Sequence, residues 1–166
     1  ANRKTTNMNK TVKKVLLGIA GIFLIIQFLP NALPENNEDL SNDLVANTMA
    51  PEAIANILRK ACYDCHSNQT VYPWYSYVAP VSWLVVKDVK EGREELNMSE
   101  WGTMTKRKQV RALNDMAEEV EKRAMPLKIY TVIHQSARLS DEEISLLSDW
   151  TKSVSKDLLG SKTEPE

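Results

Sequence analysis

The stretch from Pro51 to His66, PEAIANILRKACYDCH, decides how the rest of the chain is read. Pro51 suits a first helical position, and Ile54, Ile57, Leu58 and Ala61 recur at three- and four-residue intervals, the apolar stripe of an amphipathic helix. The end of that helix delivers Cys62. From there Cys62, Tyr63, Asp64, Cys65 and His66 spell C-x-x-C-H, the attachment sequence for c-type haem. The spacing has a mechanical reason: two thiols two residues apart on a tight turn each reach one vinyl group of a single porphyrin and form a thioether bond. The adjacent imidazole of His66 is then aimed at the iron as proximal ligand. Two other readings use the same residues. A redox dithiol expects a strand–helix context, and a structural zinc site usually needs four protein ligands, of which the chain beyond this motif offers only His134. One covalent haem c, with its iron, is the reading the sequence favours.

Outward from the motif, the pattern stays helical. Pro80 opens a second helix ending near Asn97, with Val81, Leu84, Val85 and Val89 on an apolar face. A third, Lys106 to Arg123, buries Val110, Leu113, Ala117 and Val120, and Pro126 prevents its regular continuation. A fourth opens on Ser140 and Glu143 in capping-box spacing, followed by Ile144, Leu147, Trp150 and Val154. Strand-type alternation is nowhere sustained. The expected fold class is therefore all-α, a small cytochrome c-like bundle of about four short helices with long loops.

Before this bundle lies VLLGIAGIFLIIQFL, residues 15–29, uncharged and with Gln27 its one polar side chain. With Lys13 and Lys14 snorkelling, it predicts a transmembrane signal anchor. No A-x-A pattern follows Leu29 and no cysteine stands there for lipid attachment, which disfavours a cleaved signal. Residues 1–14 read as a cytoplasmic basic stub, 30–49 as a flexible tether rich in Asn, Asp, Glu and Pro, 50–159 as the haem domain and 160–166 as a polar tail. The positive flank predicts a single-pass protein held by its N-terminal helix, with the haem domain facing outward.

The chain has 166 residues, 43% hydrophobic and 26% charged, which suits one compact domain. Its only two cysteines lie within the motif, so a disulfide-stapled scaffold and a four-cysteine zinc ribbon are excluded. The formal charge is −1, but Arg3, Lys4, Lys10, Lys13 and Lys14 all precede the first acid, Glu35, so the body is acidic. That argues against nucleic acid as a partner.

The second axial ligand decides what the iron does, because one protein ligand leaves a site for gases or peroxide and two suit electron transfer. The available groups are Met49, Met98, Met104, Met116, Met125 and His134. Met125 is preferred, since it sits in a break between two amphipathic helices and immediately before Pro126. His134 and the loop methionines Met98 and Met104 stay open, while Met116 reads as core and Met49 as tether. Tyr72, Trp74, Tyr75, Tyr77 and Trp83 either wall the crevice or pack a core. Lys106, Arg107, Lys108 and Arg111 either hold propionates or form a solvated helix face, the latter being favoured. No distal pair suited to peroxide cleavage is readable, so the chain is expected to be an electron carrier and not an enzyme. The competing function is a haem-based sensor or accessory module with a labile distal ligand.

The sequence also resembles the bacterial haem-binding-domain family, small exported or membrane-anchored c-type cytochromes of Bacteroidetes-type bacteria. The likeness rests on CYDCHSNQTVYPWYSYVAPVSW, EGREELNMSEW and AMPLKIYTVIHQSARLSDEEISLLSDW, together with the N-terminal apolar run. The resemblance implies that Cys62 and Cys65 carry the haem, that His66 is its proximal ligand and that Met125 is the distal one, with His134 as a bis-histidine alternative. Trp101 stands where many relatives are expected to have Phe. Redox proteins, as donor and acceptor or within a respiratory complex, are the partners this implies. The resemblance would also make the membrane the bacterial inner membrane and the outward side the periplasm.

Overall fold

The computed structural model describes residues 9–160. Among these residues the secondary structure is entirely helical: α1 (Lys10–Ile26), α2 (Leu44–Thr48), α3 (Glu52–Ala61), α4 (Tyr63–His66), α5 (Val81–Glu95), α6 (Lys106–Glu121), α7 (Lys128–Ile133) and α8 (Asp141–Gly160), with 3-10 turns at 74–77, 98–103 and 135–137. The all-α expectation agrees, and its four helices correspond to α3, α5, α6 and α8, while the short α2, α4 and α7 were not expected. The start of the basic stub and nearly all of the polar tail lie outside the described residues.

One expectation is corrected. Among the described residues no helix is long and apolar enough to cross a membrane. Helix α1 has 17 residues, about 26 Å at ~1.5 Å per residue, and Lys10, Lys13 and Lys14 occupy its first turns. Its uncharged part, 15–26, spans only about 18 Å against a ~30 Å hydrocarbon core. The helix stops because Gln27 ends it. The Gln27 amide donates to the carbonyls of Phe23 (2.9 Å) and Ala79 (3.1 Å), and its oxygen accepts from the Ala79 N–H (3.0 Å). Residues to Leu29 continue as turns instead of extending the span. The transmembrane signal anchor at 15–29 is therefore not what the structure holds, and the single-pass inner-membrane location that depended on it falls with it.

The described chain divides into two compact units, 9–33 with 73–87 and 34–72 with 88–160. The first contains α1, the 74–77 turn and the start of α5. There Trp74 meets Tyr75 edge to face, with ring centroids 5.9 Å apart. Trp74 and Tyr77 are largely exposed, so they pack no core.

The second unit holds the core, formed by Leu44, Ile54, Ile57, Leu58, Tyr63, Met98, Trp101, Leu113, Met116, Val120 and Leu147. Helices α6 and α8 make the most extensive pairing. Arg123, in the left-handed region at φ 55°, ends α6 and reaches Asp141 at the start of α8. The Ser140–Glu143 capping box forms as the spacing predicts, with bonds of 3.0 and 3.2 Å, and Glu143 also pairs with Lys60 of α3 at 2.5 Å. The 30–49 segment is more ordered than a tether. Asp43 caps α2 by accepting from the Val45 N–H (2.9 Å), Leu44 is 0% exposed, and the Tyr63 hydroxyl bonds both Asp43 oxygens (3.0 and 3.1 Å).

Candidate functional site

The site is built on the junction of α3 and α4. Cys62 breaks the helix at φ −125°, ψ −40°, yet its N–H still donates to Leu58 O (2.9 Å). Its carbonyl accepts from Cys65 N (3.1 Å) and His66 N (2.9 Å), so the five-residue motif closes into one turn. Buried Ser67 staples that turn, donating to Tyr63 O (2.8 Å) and accepting from Gln69 N (3.0 Å). The turn is held against α5 at Gly92. A Cβ there would lie 2.6 Å from Cys65 O, a contact that backbone cannot relieve by side-chain motion. Leu96, just past α5, accepts from His66 Nδ1 through its carbonyl at 3.1 Å. A carbonyl only accepts, so Nδ1 carries the proton and Nε2 keeps its lone pair for a metal. Burial lowers the His66 pKa below its ordinary 6.5, which keeps the ring neutral.

Arg93 ties this region together. Its Nε donates to Ser67 O (2.8 Å), Nη1 to Glu35 O (2.7 Å), and Nη2 to Asn36 Oδ1 and Thr70 Oγ1 (both 3.1 Å).

Cys62, Cys65 and His66 line a cavity of about 740 Å³, within the usual range for cofactor pockets. Leu96, Met98, Ala112, Met116 and Val120 give it apolar walls, and the chain beyond α6 adds Met125, Pro126, Leu127 and Tyr130. Asp64, Asp88, Glu91, Glu94, Glu95, Asp115 and Glu119 also border it, and among the described residues no Lys or Arg does. Met125 is half-buried, and the Met125–Pro126 peptide is cis. Met98 and Met116 are packed into the core as well as bordering the cavity. His134 does not line it. That residue ends α7, its ring stacked on Tyr130 at 4.3 Å and 11°. Met49, at 88% exposure, and Met104 are elsewhere. Within the unit that holds the cavity, Tyr72 does not line it, nor does any of Lys106, Arg107, Lys108 and Arg111, while Trp74, Tyr75, Tyr77 and Trp83 belong to the other unit.

The donor set suits a flat apolar macrocycle carrying iron. Burial and the facing Cys65 push the Cys62 thiol up to about 12, while burial with Asp88 and Asp64 pushes Cys65 to about 11. Without a bound group both are therefore held as neutral thiols. Among the described residues no group of three or more His, Cys, Asp or Glu is disposed to hold a bare metal ion.

Sequence reasoning missed Gly92, the Leu96 carbonyl, the hydrogen bond from the Tyr130 hydroxyl to Asp64 Oδ2 (2.6 Å) and the acidic border. Only Gly92 left a local sign, a glycine inside an otherwise helical run, which often marks close backbone approach.

A family model described as a haem-binding domain matches residues 21–153. No curated protein and no solved structure matches the chain. The family match spans the motif, the cavity and most of α8, and the chain therefore belongs to the haem-binding-domain family.

Proposed function

We propose that this domain is a mono-haem c-type cytochrome that carries electrons between redox protein partners. Cys62 and Cys65 would hold the group by thioether bonds, each thiol giving its sulfur to one carbon of a vinyl C=C and its hydrogen to the other, so attachment would need no net oxidant or reductant. His66 offers Nε2 as proximal ligand, and Met125 offers its thioether as distal ligand. The bound iron supplies one-electron exchange, and a soft thioether favours its ferrous state relative to imidazole. The observation that carries this reading is the convergence of both thiols, a neutral imidazole and the Met125 side chain on one largely apolar cavity. Two protein ligands leave no open position for peroxide, which supports a carrier over an enzyme.

Extraction of the denatured protein with acid and organic solvent tests the covalent part. Colour should stay with the polypeptide, whose mass should exceed that of the chain by one haem, and Cys62→Ser with Cys65→Ser should release it. A colourless chain would reduce the reading to non-covalent haem binding. Met125→Ala should bind carbon monoxide rapidly in the ferrous state; a wild type that already does so fully and fast is not the carrier described.

A further inference from the structure

We propose that Tyr130 and Asp64 form a latch that holds the Met125 segment against the C-x-x-C-H turn, making Tyr130 a positioning residue for the distal ligand. The proposal rests on Met125 being that ligand. Tyr130 lies five residues beyond Met125, and its hydroxyl donates to Asp64 Oδ2 at 2.6 Å across 66 residues of sequence. The acceptor is fixed in place: Asp64 Oδ1 accepts from the Val71 N–H (3.1 Å), and the Asp64 carbonyl accepts from Thr70 Oγ1 (2.8 Å). The same Thr70 oxygen is gripped by Arg93. The donor is fixed as well, its ring lying flat on that of His134.

Besides the bond to Asp64, the Ala124 and Met125 N–H groups donate to Glu119 O (2.9 and 3.2 Å) and Arg138 Nε donates to Thr131 O (3.2 Å), while burial contributes little. Helix α7 has no buried residue, and Ile129, Val132 and Ile133 are 60–64% exposed. It packs chiefly on the 135–137 turn that follows it. With so little apolar area removed from water, one short O–H···O bond to a pre-positioned carboxyl carries a large share of the closing free energy.

The test uses the intact holoprotein and reads two signals: the rate at which ferrous protein takes up carbon monoxide, and the ferric charge-transfer absorption characteristic of methionine ligation. Tyr130→Phe should raise the carbon monoxide rate roughly tenfold or more, the size expected for losing one strong hydrogen bond, and weaken the methionine band. Asp64→Ala should match it, the double variant should be no worse than either single one, and Asp64→Asn, whose single acceptor oxygen can serve the Val71 N–H or the Tyr130 hydroxyl but not both, should fall between wild type and Asp64→Ala. Tyr72→Phe serves as control. It removes a comparable bond to Pro34 O (2.7 Å) away from the cavity and should leave both signals unchanged. If Tyr130→Phe leaves both signals at wild-type values, the latch is wrong while Met125 ligation stands. If the wild type itself lacks the methionine band and takes up carbon monoxide as fast as Tyr130→Phe, both proposals fall together.

Discussion

A hydrogen on Cα, and nothing larger, is what position 92 requires. Gly92→Ala gains about 1 kcal/mol of helix propensity, but its methyl would meet the Cys65 carbonyl at 2.6 Å, and overpacking of that kind costs about 1–3 kcal/mol. The variant should lose about 1 kcal/mol in urea unfolding, with His66 displaced from Leu96; unchanged stability would show that α5 yields freely. The titrating groups set a second expectation, for the chain without thioethers. His66 has a lowered pKa, so the stability it contributes is present above its ordinary 6.5 and is lost as pH falls. The two thiols have raised values, so their contribution is present below 9.0 and is lost as pH rises towards 11 to 12. The urea midpoint of that chain should plateau between about pH 6.5 and 9, and the proposed thioether linkage, which would consume both thiols, predicts that the alkaline decline from Cys62 and Cys65 vanishes in the haem-loaded protein. An identical alkaline limb in both forms would remove the thiols as its cause. That Cys62, Cys65 and His66 share one turn was legible because the five residues are consecutive, and that Met125 stands between two helices was legible because Pro126 follows it. Gly92 and Tyr130 act on partners 27 and 66 residues away, which no local pattern encodes.

Helices differ in how much of their boundary is written locally. The S-x-x-E signal placed the start of α8, since both capping bonds lie within four residues. The end of α1 was misread because hydropathy counts Gln27 as one tolerable polar residue, whereas its amide pairs with the Ala79 backbone 52 residues on. Helix α2 escaped notice for the opposite reason, being only five residues long and too short for periodicity to register. Its cap makes it testable. Asp43→Ala removes the bond to Val45 N and leaves the buried Tyr63 hydroxyl without its two acceptor oxygens. Losing a cap costs about 1 kcal/mol and an unsatisfied buried hydroxyl about 1–3 kcal/mol, so a loss of about 2–4 kcal/mol is expected by urea unfolding. A loss below about 1 kcal/mol would mean that this helix contributes nothing to the core it covers.

Across the whole molecule the formal charge is nearly balanced at −1, yet among the described residues the cavity is bordered by seven carboxyl residues and no Lys or Arg. The spacing is visible along each helix, Asp88, Glu91 and Glu95 on α5 and Asp115 and Glu119 on α6, but only folding brings both rows to one cavity. Cationic reductants such as ruthenium ammines should therefore react with the ferric holoprotein faster than anionic ones of similar driving force, measured by stopped flow at low salt. The gap should narrow above ~0.1 M salt, where the screening length falls to about 10 Å. Equal rates at low salt would show that the border is electrostatically silent. The guanidinium of Arg93 bears on how such a molecule tolerates change. Four acceptors from two separate stretches of chain converge on its rigid plane, and an ammonium has three hydrogens on a swivelling stem. Lysine at that position would preserve the charge tally and still unpick the seam, so a survey of substitutions should find the swap usually labelled conservative about as damaging there as a neutral one.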